Sequence, residues 1–372
     1  MLFRKKTNRR ERYARRIFYR FRNLFLLLIL SSSSLQPQIV LASPLVDSQP
    51  AAAASSENKP LFAPTPAVTL SVPSTVMLGE NFTFTTTFSN TVDTGYGPFI
   101  DVILPANGAD GNGNTSTPLD GISFNSSLGA TYLGNTLTTT LLTFPNSGAT
   151  NTCVNHPYAV APVTGTALQV CGKPGDQLVV IQLPFGSFTP GQPGATVTVN
   201  ATLSNRADVG TPLTLRARGG FQYGATPTSD WCCAPFDATI LSQPSTDGTT
   251  WTPSASTTPT LITLSKSNNA PETETATGPN YPRRYTLNLD IASGQVITNV
   301  VVSDAFPINL QFSSVISTSP AGGTCSTTPN PLTTPGGTLS CSFSTITGTT
   351  SVDATIVVEF YIPLTDSLRN AN

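Results

Sequence analysis

A single histidine, His156, stands in 372 residues, so any Ser-His-Asp or Cys-His relay must be built on it. It lies in Val154-Asn155-His156-Pro157 beside Cys153, which reads as a surface loop. No G-x-S-x-G turn and no H-E-x-x-H pair occurs, so the sequence marks of a nucleophile elbow and of a zinc-protease helix are missing. Asp and Glu are scattered along the chain, and nothing selects two of them as an acid/base pair for glycoside hydrolysis. The residues read as those of a non-catalytic protein.

Metal chemistry has a firmer footing. Asp110-Gly111-Asn112-Gly113-Asn114 places oxygen ligands at alternate positions, and Asp120 follows nearby. Such spacing lets a loop wrap a hard cation, so calcium at Asp110, Asn112, Asn114 and Asp120 is the one cofactor the chain suggests. The match is partial, because Thr115 takes the place of the usual Gly and no Glu closes the loop, and Asn and Gly also make plain turns.

Six cysteines point to disulfides if the chain is exported, with many pairings open. Cys325 and Cys341 flank a Pro-Gly-Gly turn and suit a clamp on one hairpin, while Cys153 and Cys171 bracket another loop. Cys232 and Cys233 remain, and being adjacent they form a vicinal bond, pair elsewhere or stay free. Zinc is poorly served, since no two C-x-x-C pairs exist.

The elements that would hold these groups are strands. Only 10% of residues are charged, with 32 Pro, 28 Gly and abundant Thr and Ser, so punctuators are frequent and helix formers scarce. Val68, Leu70 and Val72 alternate, and Phe82, Phe84, Thr86 and Phe88 line one face of the next strand. Further strands are expected at 99–104, 178–183, 195–203 and 213–217. Tyr285, Leu287, Leu289 and Ile291 share a face before Ser293-Gly294 turns the chain into Val296–Val302.

The first 42 residues read as a signal peptide: a basic region, then Leu24–Leu30, then Val40-Leu41-Ala42 with cleavage expected after Ala42. The apolar run is too short to span a bilayer, so no transmembrane span is expected. Ten of the 19 Lys and Arg lie in the first 22 residues, leaving nine against 19 acids and a net charge of −10. An acidic mature surface argues against a nucleic-acid partner. Residues 43–66 read as an Ala/Ser/Pro tether, 67–242 as a first β-sandwich, 243–259 as a Pro/Thr linker and 260–372 as a second β-sandwich. Trp251, alone in that linker, suits a plug between neighbouring domains better than a sugar-stacking platform.

Val302-Ser303-Asp304-Ala305-Phe306-Pro307, with the two flanking strand pairs and GGTCSTT and GGTLSCSF, resembles a repeat of bacterial cell-wall proteins, the family named domain of unknown function eleven. The resemblance covers roughly the last third of the chain. It implies immunoglobulin-like modules in tandem, a stalk or adhesin, and no chemistry. It also raises an amide staple known in related stalk domains. Lys266 is in phase with Ile262 and Leu264 on the face expected to be buried, where a neutral amine would be favoured, with Asp304 and Glu359 as acids and Asp290 alternating away. The competing reading is that the strand ends and Lys266 reaches water.

The sequence thus describes an exported, non-catalytic, all-β structural or adhesive segment of a bacterial surface protein. Its expected partners are an unknown surface ligand or neighbouring repeat domains. The rival reading is a secreted carbohydrate-binding module or an accessory domain of an extracellular hydrolase, which aligned exposed aromatics on one sheet face would favour.

Overall fold

The computed structural model describes residues 63–110, 119–146, 149–160, 166–224, 239–269 and 281–363. The leader, most of the tether and Cys232 and Cys233 lie outside these residues. Within them the chain is all β, with one 3₁₀ turn at Gly248–Thr250. No helix among the described residues is long and apolar enough to cross a membrane.

Alternation builds the first sandwich. In Asn81–Asn90, Phe84, Thr86 and Phe88 point inward, and in Ala195–Leu203, Val197, Val199 and Ala201 do the same. These strands pair antiparallel, with Pro66–Ser71 on one side and the short Ile122–Phe124 and Ala130–Tyr132 on the other. The facing sheet runs Thr75–Met77, Ser254–Thr260, Leu213–Tyr223, Gly95–Leu104, Gln177–Gln182, Thr138–Thr143. Its central strand is apolar on both faces: Ile100, Val102 and Leu104 meet the first core, while Phe99 and Ile103 pack into a second cluster behind the sheet. A strand buried on both faces reads as a continuous apolar run, which Phe99–Leu104 is apart from Asp101.

The second cluster is covered by a two-stranded hairpin, Thr152–Val160 with Ala167–Gly172, which forms a third layer. Close approach on both faces explains Gly219-Gly220. A Cβ on Gly219 would lie 2.6 Å from Val68, and one on Gly220 would lie 2.5 Å from Phe99.

Gln243–Pro259 is not a linker. It carries the 3₁₀ turn and then the strand Ser254–Thr260, which pairs antiparallel with Leu213–Arg216 and parallel with Thr75–Met77. Thr and Ser suit a pleated surface, and the pairing partners lie far away in sequence, so local composition conceals the strand.

The second sandwich faces a four-stranded sheet, in the order Ile262–Asn268, Arg283–Ile291, Ala354–Tyr361, Gln311–Ser319, against a three-stranded one, Val296–Ala305, Thr338–Thr347, Thr324–Thr328. Tyr285, Leu287, Leu289 and Ile291 enter its separate core with Val302, Phe343, Ile356 and Val358. Leu261 joins the sandwiches: its carbonyl accepts the Ala292 N–H at 2.9 Å, and both residues pack against the first core.

Candidate functional site

A buried polar constellation lies behind the facing sheet, under the hairpin. Asp101 points to the hairpin side of Gly95–Leu104, and Arg218 is its direct cross-strand partner. Arg218 Nε donates to Asp101 Oδ2 at 2.7 Å, with both side chains fully buried. His156 descends from the hairpin, its Nε2 2.8 Å from Asp101 Oδ1. Its Nδ1 accepts the backbone N–H groups of Tyr158 and Ala159 at 3.0 and 2.6 Å. Since Nδ1 is an acceptor, the ring proton sits on Nε2 and is donated to the carboxylate.

Trp251, brought in by the 3₁₀ turn, completes the group. The Arg218 guanidinium carbon lies 3.9 Å from the indole centroid, a stacked cation–π contact in a desolvated site. The Ser245 carbonyl accepts from both Trp251 Nε1 at 2.9 Å and Arg218 Nη1 at 3.2 Å. Burial pushes the Asp101 carboxyl up, but His156 and Arg218 outweigh it and hold the group below the usual carboxylate value.

Chemically this network is closed. Both imidazole nitrogens and both carboxylate oxygens are engaged, and the one buried atom of the group without a hydrogen-bond partner is Arg218 Nη2. Its work is to fix the third layer on the sheet. His156 was expected on a surface loop; it is instead 2% exposed and on a strand. Pro157 is tolerated because the hairpin register shifts between Ala167 and Gln169, so the residues between Asn155 and Val160 fall where the ladder is irregular. Trp251 does plug a gap, but within the first sandwich. Composition hid Asp101 and Arg218; the signal that could have found them is a charge in the apolar run Phe99–Leu104 and a second in Arg216-Ala217-Arg218.

Of the calcium set, Asn112 and Asn114 lie outside the described residues. Asp120 Oδ1 is buried without a hydrogen-bond partner, and burial followed by nearby Asp110 raises its carboxyl. Among the described residues no three His, Cys, Asp or Glu side chains gather as a metal cluster. A different carboxylate, Asp176, is 5% exposed and is pushed up to about 7 by burial, against the Asn107 N–H and Lys173, which lower it.

Cys153–Cys171 and Cys325–Cys341 are disulfide-bonded. Each joins directly opposed residues on neighbouring strands, so each braces one hairpin. Lys266 is in register with Leu287 and therefore shares the inward face, as its phase indicated. It is not buried: the facing sheet has only three strands and leaves this edge strand open, with Leu264 52% exposed. Lys266 Nζ reaches both Asp304 carboxylate oxygens at 2.8 Å and lies 4.1 Å from the Tyr285 ring centroid. Burial, then Asp304, raise the Tyr285 hydroxyl, which stays protonated. Glu359 is not brought to this pair. It stands opposite Arg284, 3.6 Å from its Nε, on the outward face of the same sheet.

No protein-family model matches the chain, and no curated protein matches it. Solved structures share its strands loosely. The C-terminal domain of the Streptococcus agalactiae antigen I/II polypeptide BspA is 6% identical, with 80% of this chain and 91% of that one covered and a TM-score of 0.24. The C-terminal domain of the Streptococcus pyogenes antigen I/II-family protein AspA is 8% identical, covering 81% and 91%, at 0.23. A structure titled for AvmM, which catalyses macrocyclization in alchivemycin A biosynthesis, is 11% identical, covering 56% and 92%, at 0.27.

Proposed function

We propose that the chain is an exported, non-catalytic structural or adhesive segment of a bacterial surface protein, spacing or presenting a binding region. The observation that carries this reading is the pair of disulfides, each bonding directly opposed strand residues. Such bonds persist in oxidising compartments, and the basic, Leu-rich leader supplies the route there. The use of the chain's only histidine as a buried fastener supports the absence of catalysis. Protease shaving of intact producing cells, followed by N-terminal sequencing of the released chain, tests the reading. A surface-released protein beginning at Ser43 agrees with it; a protein retained inside with reduced cysteines overturns it.

A further inference from the structure

His156 fastens the hairpin Thr152–Val160 and Ala167–Gly172 in one protonation state. Its Nε2 donates to Asp101 and its Nδ1 accepts the Tyr158 and Ala159 N–H groups at 3.0 and 2.6 Å, so the neutral ring satisfies each of these partners. A second proton can enter only at Nδ1, where it would point at two backbone donors in a buried site. The charged groups around the ring do not relieve this. Asp101, on Gly95–Leu104, favours positive charge but already receives the Nε2 proton and Arg218 Nε. From Leu213–Tyr223, Arg218 repels a second cation, and Arg216 is turned to the Trp251 carbonyl at 3.0 Å. Asp247, beside the 3₁₀ turn, accepts the Thr249 N–H and hydroxyl at 3.0 and 2.7 Å. On the hairpin itself, burial raises the Tyr158 hydroxyl, which stays protonated. Ala167–Gly172, Gln177–Gln182 and Thr138–Thr143 carry no titrating side chain, Cys171 being in its disulfide.

We propose that the hairpin is an acid-released cover with His156 as its catch: proton uptake at Nδ1 lifts both strands off the sheet and uncovers Phe99, Leu178 and Trp251. The hairpin pairs with neither large sheet. Its other polar ties are single bonds such as Cys171 N–H to the Thr246 carbonyl and Val160 N–H to Thr239 Oγ1, each 2.8 Å. The Cys153–Cys171 bond joins its two strands to each other and not to the sheet, so the hairpin lifts as a unit. Once lifted, the imidazole meets water and takes its second proton near the ordinary value of about 6.5. The open form then binds one proton more than the closed form, so opening is favoured as pH falls, by up to about tenfold per pH unit below that value.

The test is hydrogen exchange of the full chain carrying Asp176→Asn, which removes a buried carboxyl of opposite pH effect on the turn that leaves the hairpin. Exchange is followed from pH 7.5 to 5 and corrected for intrinsic rates. Protection over 152–160 and 166–172 is expected to fall about tenfold between pH 6 and 5, while Gly95–Leu104 stays protected. His156→Asn in the same background offers an oxygen where Nδ1 stood and cannot titrate, so its hairpin protection, whatever its level, should not change with pH. The chain has one histidine, so the nitrogen-15 spectrum of histidine-labelled protein reads this ring directly even if the Asn variant does not fold. The Nε2–H tautomer is expected at pH 7.5, with imidazolium appearing as hairpin protection is lost. Four outcomes overturn the proposal: hairpin protection that does not change with pH, acid loosening that persists in His156→Asn, loosening of Gly95–Leu104 together with the hairpin, or imidazolium while the hairpin stays protected.

Discussion

Arg218 lies over Trp251, its guanidinium carbon 3.9 Å from the ring centroid, while its Nε holds Asp101 at 2.7 Å. The stack and the ion pair therefore share one cation, and removing it leaves the buried carboxylate only its hydrogen bond from His156.

Arg218→Ala is expected to cost about 3 to 5 kcal/mol, because an uncompensated charge stays in the interior. Trp251→Ala should cost a similar amount through the cavity it leaves. The two losses should be non-additive in urea unfolding, since both residues serve the same contact. Additive losses would show that the stack is incidental.

Asp176 gives stability a pH dependence of opposite sign to that of most carboxylates. Its folded-state value is raised to about 7 from the ordinary carboxylate value of 3.8, so between those limits the folded chain binds the extra proton and stability falls as pH rises. The full contribution is present below about pH 4 and is lost by about pH 7, a few kcal/mol in all. Asp176→Asn should flatten this part of the profile in melts taken from pH 4 to 8; an unchanged slope would assign it to other groups.

Cys153→Ser/Cys171→Ser should lower stability by about 3 kcal/mol through the freed loop. Hydrogen exchange should accelerate first in 152–172, because that hairpin pairs with neither large sheet and is held by side chains, a few backbone bonds and packing. Uniform acceleration across the sandwich would show that the hairpin unfolds with the rest.

Lys266 and Asp304 are expected to remain an ion pair. The Lys266 side chain is 44% exposed, and Glu359 projects from the opposite face of its sheet. Lys266→Met should therefore change stability by less than about 1 kcal/mol. Intact mass under reduction should show no loss of one water; such a loss would establish the amide.

Alternation made much of the strand framework legible. Val68, Phe84, Phe88, Val197 and the Tyr285–Ile291 series lie inward as their spacing required. The phase of Lys266 was also readable, but its exposure was not, because it depends on how many strands the opposite sheet contains. The strand in Gln243–Thr260 escaped for a related reason: Thr257 is fully buried only because Leu213–Arg216 and Thr75–Met77 flank its strand from distant parts of the chain. His156 looked like a loop residue because its neighbour is Pro157, and no local signal pairs it with Asp101, 55 residues earlier.

The parallel ladder of Thr75–Met77 with Thr258–Thr260 joins an early strand of the first sandwich to its last, and the Leu78 N–H adds a further bond to the Thr260 carbonyl at 3.0 Å. If the chain is pulled from its two ends, these strands slide past each other lengthwise. Their crosswise hydrogen bonds must then rupture in shear, together, instead of unzipping in turn.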